Sequence, residues 1–139
     1  MGIIRTCKSC GQKNRTGAGH LADKGRCGAC KSDLGPVDEP IAVTTAEFDE
    51  IVQGAKVPVL VDFWAAWCGP CRAAAPEVAR TAKDMAGRGV VLKVDTEKEQ
   101  GLAARYRVQG IPNFMVFAGN KAVRRSEERR VGKECRSRW

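Results

Sequence analysis

No stretch of this 139-residue chain approaches the roughly 18 uninterrupted apolar residues that a membrane-spanning helix needs. The segment from Met1 to Cys10 lacks the apolar core of a secretory signal. Both absences point to a soluble protein of the cytoplasm. The length excludes two large domains and leaves room for one ordinary domain and a small appendage. Histidine is nearly absent: His20 stands alone. Net charge of one sign is also missing from most of the chain. Residues 35–124 carry eleven basic and eleven acidic side chains, so the formal +8 resides in residues 1–34 (+5) and 125–139 (+3). Such a distribution argues against a broad nucleic-acid footprint.

Cysteine is abundant. Seven cysteines fall into three C-x-x-C pairs plus Cys135. In a reducing compartment this pattern reads as metal binding and catalysis rather than a disulfide scaffold. Cys7, Cys10, Cys27 and Cys30, with sixteen residues between the pairs, have the spacing of a four-thiolate zinc ribbon. Residues 1–34 show no helical or strand periodicity long enough to build a core, so bound Zn²⁺ is expected to supply their folding energy. Four thiolates around one dication lower that segment's charge to about +3. Further redox pairs or disulfides are the alternative, disfavoured because neither pair is flanked by a strand-to-helix pattern. With the shell complete, His20 is expected to be exposed and not to ligate.

Gly35 to Pro40 has the composition of a linker, and beyond it strand and helix signals alternate. Ile41–Val43 reads as a short strand. Thr44 with Glu47 forms a capping-box pattern that opens a helix to about Gln53. Val57–Trp64 is a strand apolar on both faces, as in a sheet covered by helices. Cys68–Ala86 is a long helix with a kink expected at Pro76. Val90–Asp95 is a strand, Glu99–Tyr106 a helix, Asn113–Phe117 a strand, and Lys121–Arg124 the start of a last one. The order βαβαβαββ specifies an α/β sheet with one closing hairpin.

Cys68-Gly69-Pro70-Cys71 lies at the turn from the apolar strand into the long helix. Unpaired N–H groups and the macrodipole at a helix start favour a thiolate, so Cys68 is the expected attacking thiol and Cys71, shielded by its helix, the resolving one. A second metal site or inert core thiols are the alternatives that Gly-Pro between the cysteines disfavours. Asp62 interrupts the apolar strand; burial should raise its pKa and let it exchange a proton with Cys71, unless it is solvated from the loop. Lys93 on the neighbouring strand is its candidate partner. Trp64 is expected to pack beneath the active-site turn.

Val61-Asp62-Phe63-Trp64-Ala65-Ala66-Trp67-Cys68-Gly69-Pro70-Cys71, then Pro76, Lys93 to Asp95 and Gly110-Ile111-Pro112, resemble the thioredoxin family over residues 41–124. With the N-terminal cysteine pairs the chain is similar to the zinc-binding bacterial thioredoxin 2 subgroup. The resemblance implies a thioredoxin fold, a central mixed sheet flanked by helices with the C-terminal helix missing here, plus the zinc ribbon. It implies a protein-disulfide reductase that holds structural Zn²⁺ and no organic cofactor. An NADPH-dependent thioredoxin reductase would recharge it, and its substrates would be oxidised proteins. It also implies a cis Ile111–Pro112 bond facing the disulfide, with Trp67, Gly69, Pro70, Gly110, Ile111 and Pro112 forming the substrate surface. A zinc-ribbon redox-sensing or interaction module is the rival reading, and a disulfide oxidant or isomerase a further one that Gly-Pro disfavours. Residues 125–139 depart from the family. They offer no apolar helical face and are similar to the conceptual translation of a sequencing-library adapter, so a non-native tail is expected there.

Overall fold

A computed structural model describes residues 3–127. Strands β1 (Ile3–Thr6) and β2 (Lys13–Thr16) pair antiparallel into a two-stranded sheet. At four residues each they are too short to print an alternation on the sequence or to build a core of their own. The turn between them holds Cys7 and Cys10. Cys7 N–H donates to Gln12 O at 2.8 Å and Gly11 N–H to Cys7 O at 2.9 Å. The second pair repeats the same turn, with Cys27 N–H to Ser32 O at 2.9 Å and Lys31 N–H to Cys27 O at 3.0 Å. Both turns close on a left-handed residue, Gly11 at φ 81° and Lys31 at φ 66°. Glycine adopts that conformation freely, whereas lysine does so against its Cβ.

The α/β unit follows as β3 (Ile41–Ala42), α1 (Thr45–Gly54), β4 (Val59–Trp64), α2 (Gly69–Asp84), β5 (Val90–Asp95), α3 (Gln100–Arg105), β6 (Asn113–Ala118) and β7 (Lys121–Glu127). Its sheet has the order β3-β5-β4-β6-β7, parallel for β3/β5 and β4/β5 and antiparallel for β4/β6 and β6/β7. This is the expected mixed sheet with a closing hairpin. Thr44 and Glu47 form the expected reciprocal cap of α1. β4 begins two residues later than expected because Pro58 has no N–H for the ladder; its carbonyl still accepts Val90 N–H at 3.1 Å. Cys68 is the N-cap of α2 rather than its first residue, and the helix continues through Pro76. β7 runs three residues past Arg124, and the Arg125 guanidinium donates to the carbonyls of Tyr106 and Arg107, each at 2.7 Å. Residues 128–139, with Cys135 and most of the segment expected to be non-native, lie outside the described residues. Among the described residues no helix is long and apolar enough to cross a membrane.

Ile3, Leu21 and Val37 belong to the same buried cluster as Phe48, Ile51, Phe63 and Leu92, so the ribbon and the α/β unit share one core. The segment read as a linker is packed. Val37 N–H donates to Leu21 O at 2.9 Å, and Arg5 donates to Gly35 O at 2.9 Å and Leu34 O at 3.1 Å. Gly54 lets the ribbon approach the end of α1, since a Cβ there would stand 3.0 Å from that of Ala18. On the same face α1 and α3 are joined twice. Glu99 accepts from Thr45 N–H at 2.9 Å and its hydroxyl at 2.8 Å, and Arg105 pairs with Asp49 at 2.6 Å.

Candidate active site and metal centre

The strand-to-helix turn after β4 places Cys68 where its sulfur caps α2. Cys71 N–H donates to Cys68 Sγ at 3.1 Å, and the two cysteines are joined in a disulfide with Cα atoms 5.2 Å apart. In the reduced state that N–H and the helix dipole stabilise charge on Cys68. In the disulfide both cysteines are buried, Cys68 at 2% exposure and Cys71 at 5%. What distinguishes them is the capping position of Cys68 and its approach to the loop before β6. Ile111 O lies 3.8 Å from Cys68 Sγ, and the Ile111–Pro112 peptide bond is cis, as the resemblance implied.

Around the disulfide, Trp64 and Ile111 pack against Ala65, Cys68 and Cys71. Gly69 and Pro70 are exposed on the first turn of α2, and Gly110 and Ile111 are half-buried beside a buried Pro112. Trp67 is 66% exposed, its Nε1–H donating to Glu97 Oε2 at 3.2 Å. The fold thus carries residues 67–71 and 110–112 to the same end of the sheet, although some forty positions separate them in sequence.

Asp62 sits on β4 at 4% exposure, and its Oδ1 has no hydrogen-bond partner among the described residues. Burial pushes its carboxyl up from 3.8 to about 6, against the pull of the Lys93 ammonium. Lys93 is its register partner on β5, and the Lys93 Nζ stands 4.5 Å from the Trp64 ring centroid. The carboxyl is therefore poised to change protonation near neutrality on the strand that leads into the disulfide.

In the ribbon, the sulfurs of Cys7, Cys10, Cys27 and Cys30 all lie within 4.8 Å of one another. Cys7 and Cys30 sulfurs are 3.7 Å apart, and those of Cys10 and Cys27 3.6 Å. A tetrahedral zinc with Zn–S of about 2.3 Å requires sulfurs about 3.8 Å apart, so the donor set fits. Amides support the charged form: Ser9 N–H approaches Cys7 Sγ at 3.4 Å, and the Ala29 and Cys30 amides approach Cys27 Sγ at 3.4 and 3.5 Å. The Cys30 amide leads in holding the Cys27 thiol down at about 6. The Gln12 amide pulls Cys10 the same way, but desolvation and the neighbouring sulfurs outweigh it and push that thiol up to about 11. Four sulfurs this close do not all ionise without a cation among them. His20 is exposed and pairs with Asp23 at 2.9 Å, outside the shell.

Two neighbours of the disulfide had no signal in the sequence. Glu97 lies in a charged stretch after β5 where nothing marks it as the partner of Trp67. Asn113, directly after Pro112, is fully buried with neither amide atom paired among the described residues.

A family model described as Thioredoxin matches residues 39–137. The chain is 38% identical over 123 residues to Thioredoxin C-3 of Corynebacterium nephridii, covering 88% of this chain and 83% of that protein. It is 44% identical over 73 residues to Thioredoxin 1 of Chlorobaculum tepidum, covering 52% and 72% respectively. Among solved structures, a mutant thioredoxin from Halobacterium salinarum NRC-1 superposes with a TM-score of 0.60 at 35% identity, covering 65% of this chain and 78% of that one.

Proposed function

This chain belongs to the thioredoxin family, and on that premise we propose that it is a cytoplasmic protein-disulfide reductase with a structural zinc ion in its N-terminal ribbon, of the thioredoxin 2 kind. As a member of that family it is a thiol–disulfide oxidoreductase. The observation that carries the reading is the Cys68–Cys71 pair at the start of α2, with the carbonyl of Ile111 3.8 Å from Cys68 Sγ.

The reduced Cys68 thiolate attacks one sulfur of a substrate disulfide, and the other leaves as a thiolate that takes up a proton. Cys71 then loses its proton and attacks Cys68 Sγ, releasing the second substrate thiol. Two electrons pass to the substrate and the Cys68–Cys71 disulfide remains. Asp62 is the proposed acceptor of the Cys71 proton, and Lys93 tunes it. The Ile111 main chain pairs with an extended substrate over Gly110 and Pro112, while Trp67, Gly69 and Pro70 complete the surface. An NADPH-dependent thioredoxin reductase returns the pair to the dithiol. Cys7, Cys10, Cys27 and Cys30 would hold the zinc, which when bound closes the ribbon and takes no part in the exchange.

NADPH-coupled reduction of insulin disulfides tests the reading. The parent chain turns over, Cys68→Ser abolishes activity, and Cys71→Ser accumulates a mixed disulfide with substrate. Equal activity in the Cys68→Ser protein refutes it. The exposure of Cys10 and Cys30 favours one rival, a ribbon that senses oxidants. Zinc release at mild peroxide with altered partner binding would support that rival; a ribbon inert to peroxide would remove it.

A further inference from the structure

Positive charge in the ribbon exceeds its counter-charges: seven basic side chains stand against Asp23, Asp33 and, with zinc bound, the net −2 of its four thiolates, which leaves about +3. Of its acidic residues, Asp23 is engaged by His20 at 2.9 Å and Asp33 accepts the Gly35 amide at 2.8 Å. Lys8, Lys13 and Arg15 make no ion pair among the described residues. Residues 35–124 are electrically balanced, so this excess belongs to the ribbon.

The β1–β2 register sets Ile4 opposite Arg15 and Thr6 opposite Lys13, and residues directly opposite in an antiparallel pair share a face. All four are exposed, Ile4 at 48%. The other face is turned inward: Ile3 is buried, Asn14 accepts the Gly28 amide at 2.9 Å, and Arg5 binds the carbonyls of residues 34 and 35. The hairpin therefore presents one open face with two cations at alternate positions, about 6.7 Å apart along β2, beside an exposed isoleucine. Carboxylates on alternate residues of an extended chain have that same spacing of about 6.7 Å.

We propose that this outer face is a docking surface for an extended acidic segment of a partner protein. Single-stranded nucleic acid is a poorer match, because residues 1–34 contain no Phe, Tyr or Trp on which bases could stack. Beside the face lies a cleft of about 640 Å³ between β1 and residues 33–42. Asp33, Asp38 and Glu39 line it together with Ile4 and Thr6, so they repel an acidic chain from the β1 side and leave it the β2 side of the open face, over Lys13 and Arg15. The surface is independent of the disulfide and of the reaction assigned to it.

The test is fluorescence anisotropy on the full chain, purified with zinc, against a labelled cysteine-free peptide alternating Glu and Thr. Its controls are the Gln/Thr peptide and a single-stranded oligothymidylate of equal length. Binding should weaken with salt and fall at least about tenfold in Lys13→Glu/Arg15→Glu. The milder Lys13→Gln/Arg15→Gln pair, which guards against a folding defect, should lose affinity in the same direction, as should Ile4→Ser. A Lys24→Glu/Lys98→Glu protein, with the same change in net charge placed elsewhere, should bind nearly as the parent. Unchanged binding in the Lys13/Arg15 variants overturns the proposal, as does equal loss in the control pair. Tighter binding of either control probe than of the acidic peptide does so too.

Discussion

Replacing Asp62 by Asn should stabilise the oxidised protein at neutral pH and lose that effect in acid. In the fold the carboxyl sits at 4% exposure with Oδ1 unpaired, and its pKa rises from 3.8 to about 6. A raised folded-state pKa means that the native state binds the proton more tightly than the unfolded chain. The associated stability is complete below about pH 4 and is lost as pH rises through about 6. At about 1.36 kcal/mol per unit, charged Asp62 costs the fold about 3 kcal/mol at pH 7.5, about 1.5 at pH 5 and about 0.5 at pH 4. The Asn amide carries its own desolvation cost, but that cost does not change with pH, so the quantity to read is the slope of the difference. Protonation of the ribbon thiolates in acid is common to both proteins and cancels in the same way. Urea unfolding followed by tryptophan fluorescence, on parent and variant from pH 4 to 7.5, gives the difference directly. It should grow by about 2.5 kcal/mol across that range. A difference constant with pH refutes the reasoning, because it would mean that Asp62 titrates alike in the folded and unfolded chains. Lys93→Leu should steepen the pH dependence of the parent and move its midpoint above 6, since the ammonium is what holds the carboxyl down.

Chelation of the zinc proposed for the ribbon should lower the unfolding midpoint of the α/β unit as well as of the ribbon, because Ile3, Leu21 and Val37 share its core. Trp64 and Trp67 fluorescence reports that unit, and an unshifted tryptophan transition would separate the two. Leu21→Ala, at a side chain 1% exposed, should cost about 2–4 kcal/mol by chemical denaturation and weaken zinc retention in a chelator competition. Glu99→Ala leaves the Thr45 amide and hydroxyl without their acceptor and should cost about 1–2 kcal/mol, while Arg105→Ala breaks a solvent-screened pair and should cost about 0.5 at most. The reverse order in urea melts would contradict that account of how α1 and α3 are joined.

Much of the α/β unit was legible because its signals are local. The cap at Thr44 and Glu47 depends on two side chains three residues apart, and β5 has the expected bounds because Val90–Val94 is an apolar run interrupted only by Lys93 and closed by Asp95. The zinc-type cysteine spacing translates directly into four convergent sulfurs, since each C-x-x-C closes its own tight turn. Strands of four residues in the ribbon gave no such signal, and the cis bond at Pro112 followed from the family resemblance alone. The partnership of Trp67 with Glu97, and the burial of Asn113, depend on contacts between segments distant in sequence, which a reading of local periodicity does not contain.

The packing of segment 35–40 was hidden for a different reason. Gly, Pro and acidic residues report how a backbone turns and how it is solvated; they do not report whether the chain next to them is covered. Val37, in the middle of that segment, is 7% exposed, and its amide is held by Leu21 of the ribbon. Leu21 in turn is buried in the cluster that contains Phe48 and Ile51 of α1. A ribbon held in this way cannot open without uncovering the core beneath α1, so whatever closes its four thiols also contributes to the stability of the sheet that carries Cys68 and Cys71. That coupling is thermodynamic and needs no contact between ribbon and disulfide. Loss of the ribbon's closure would act on catalysis through the folded fraction, lowering the amount of active protein and leaving the chemistry of each folded molecule unchanged.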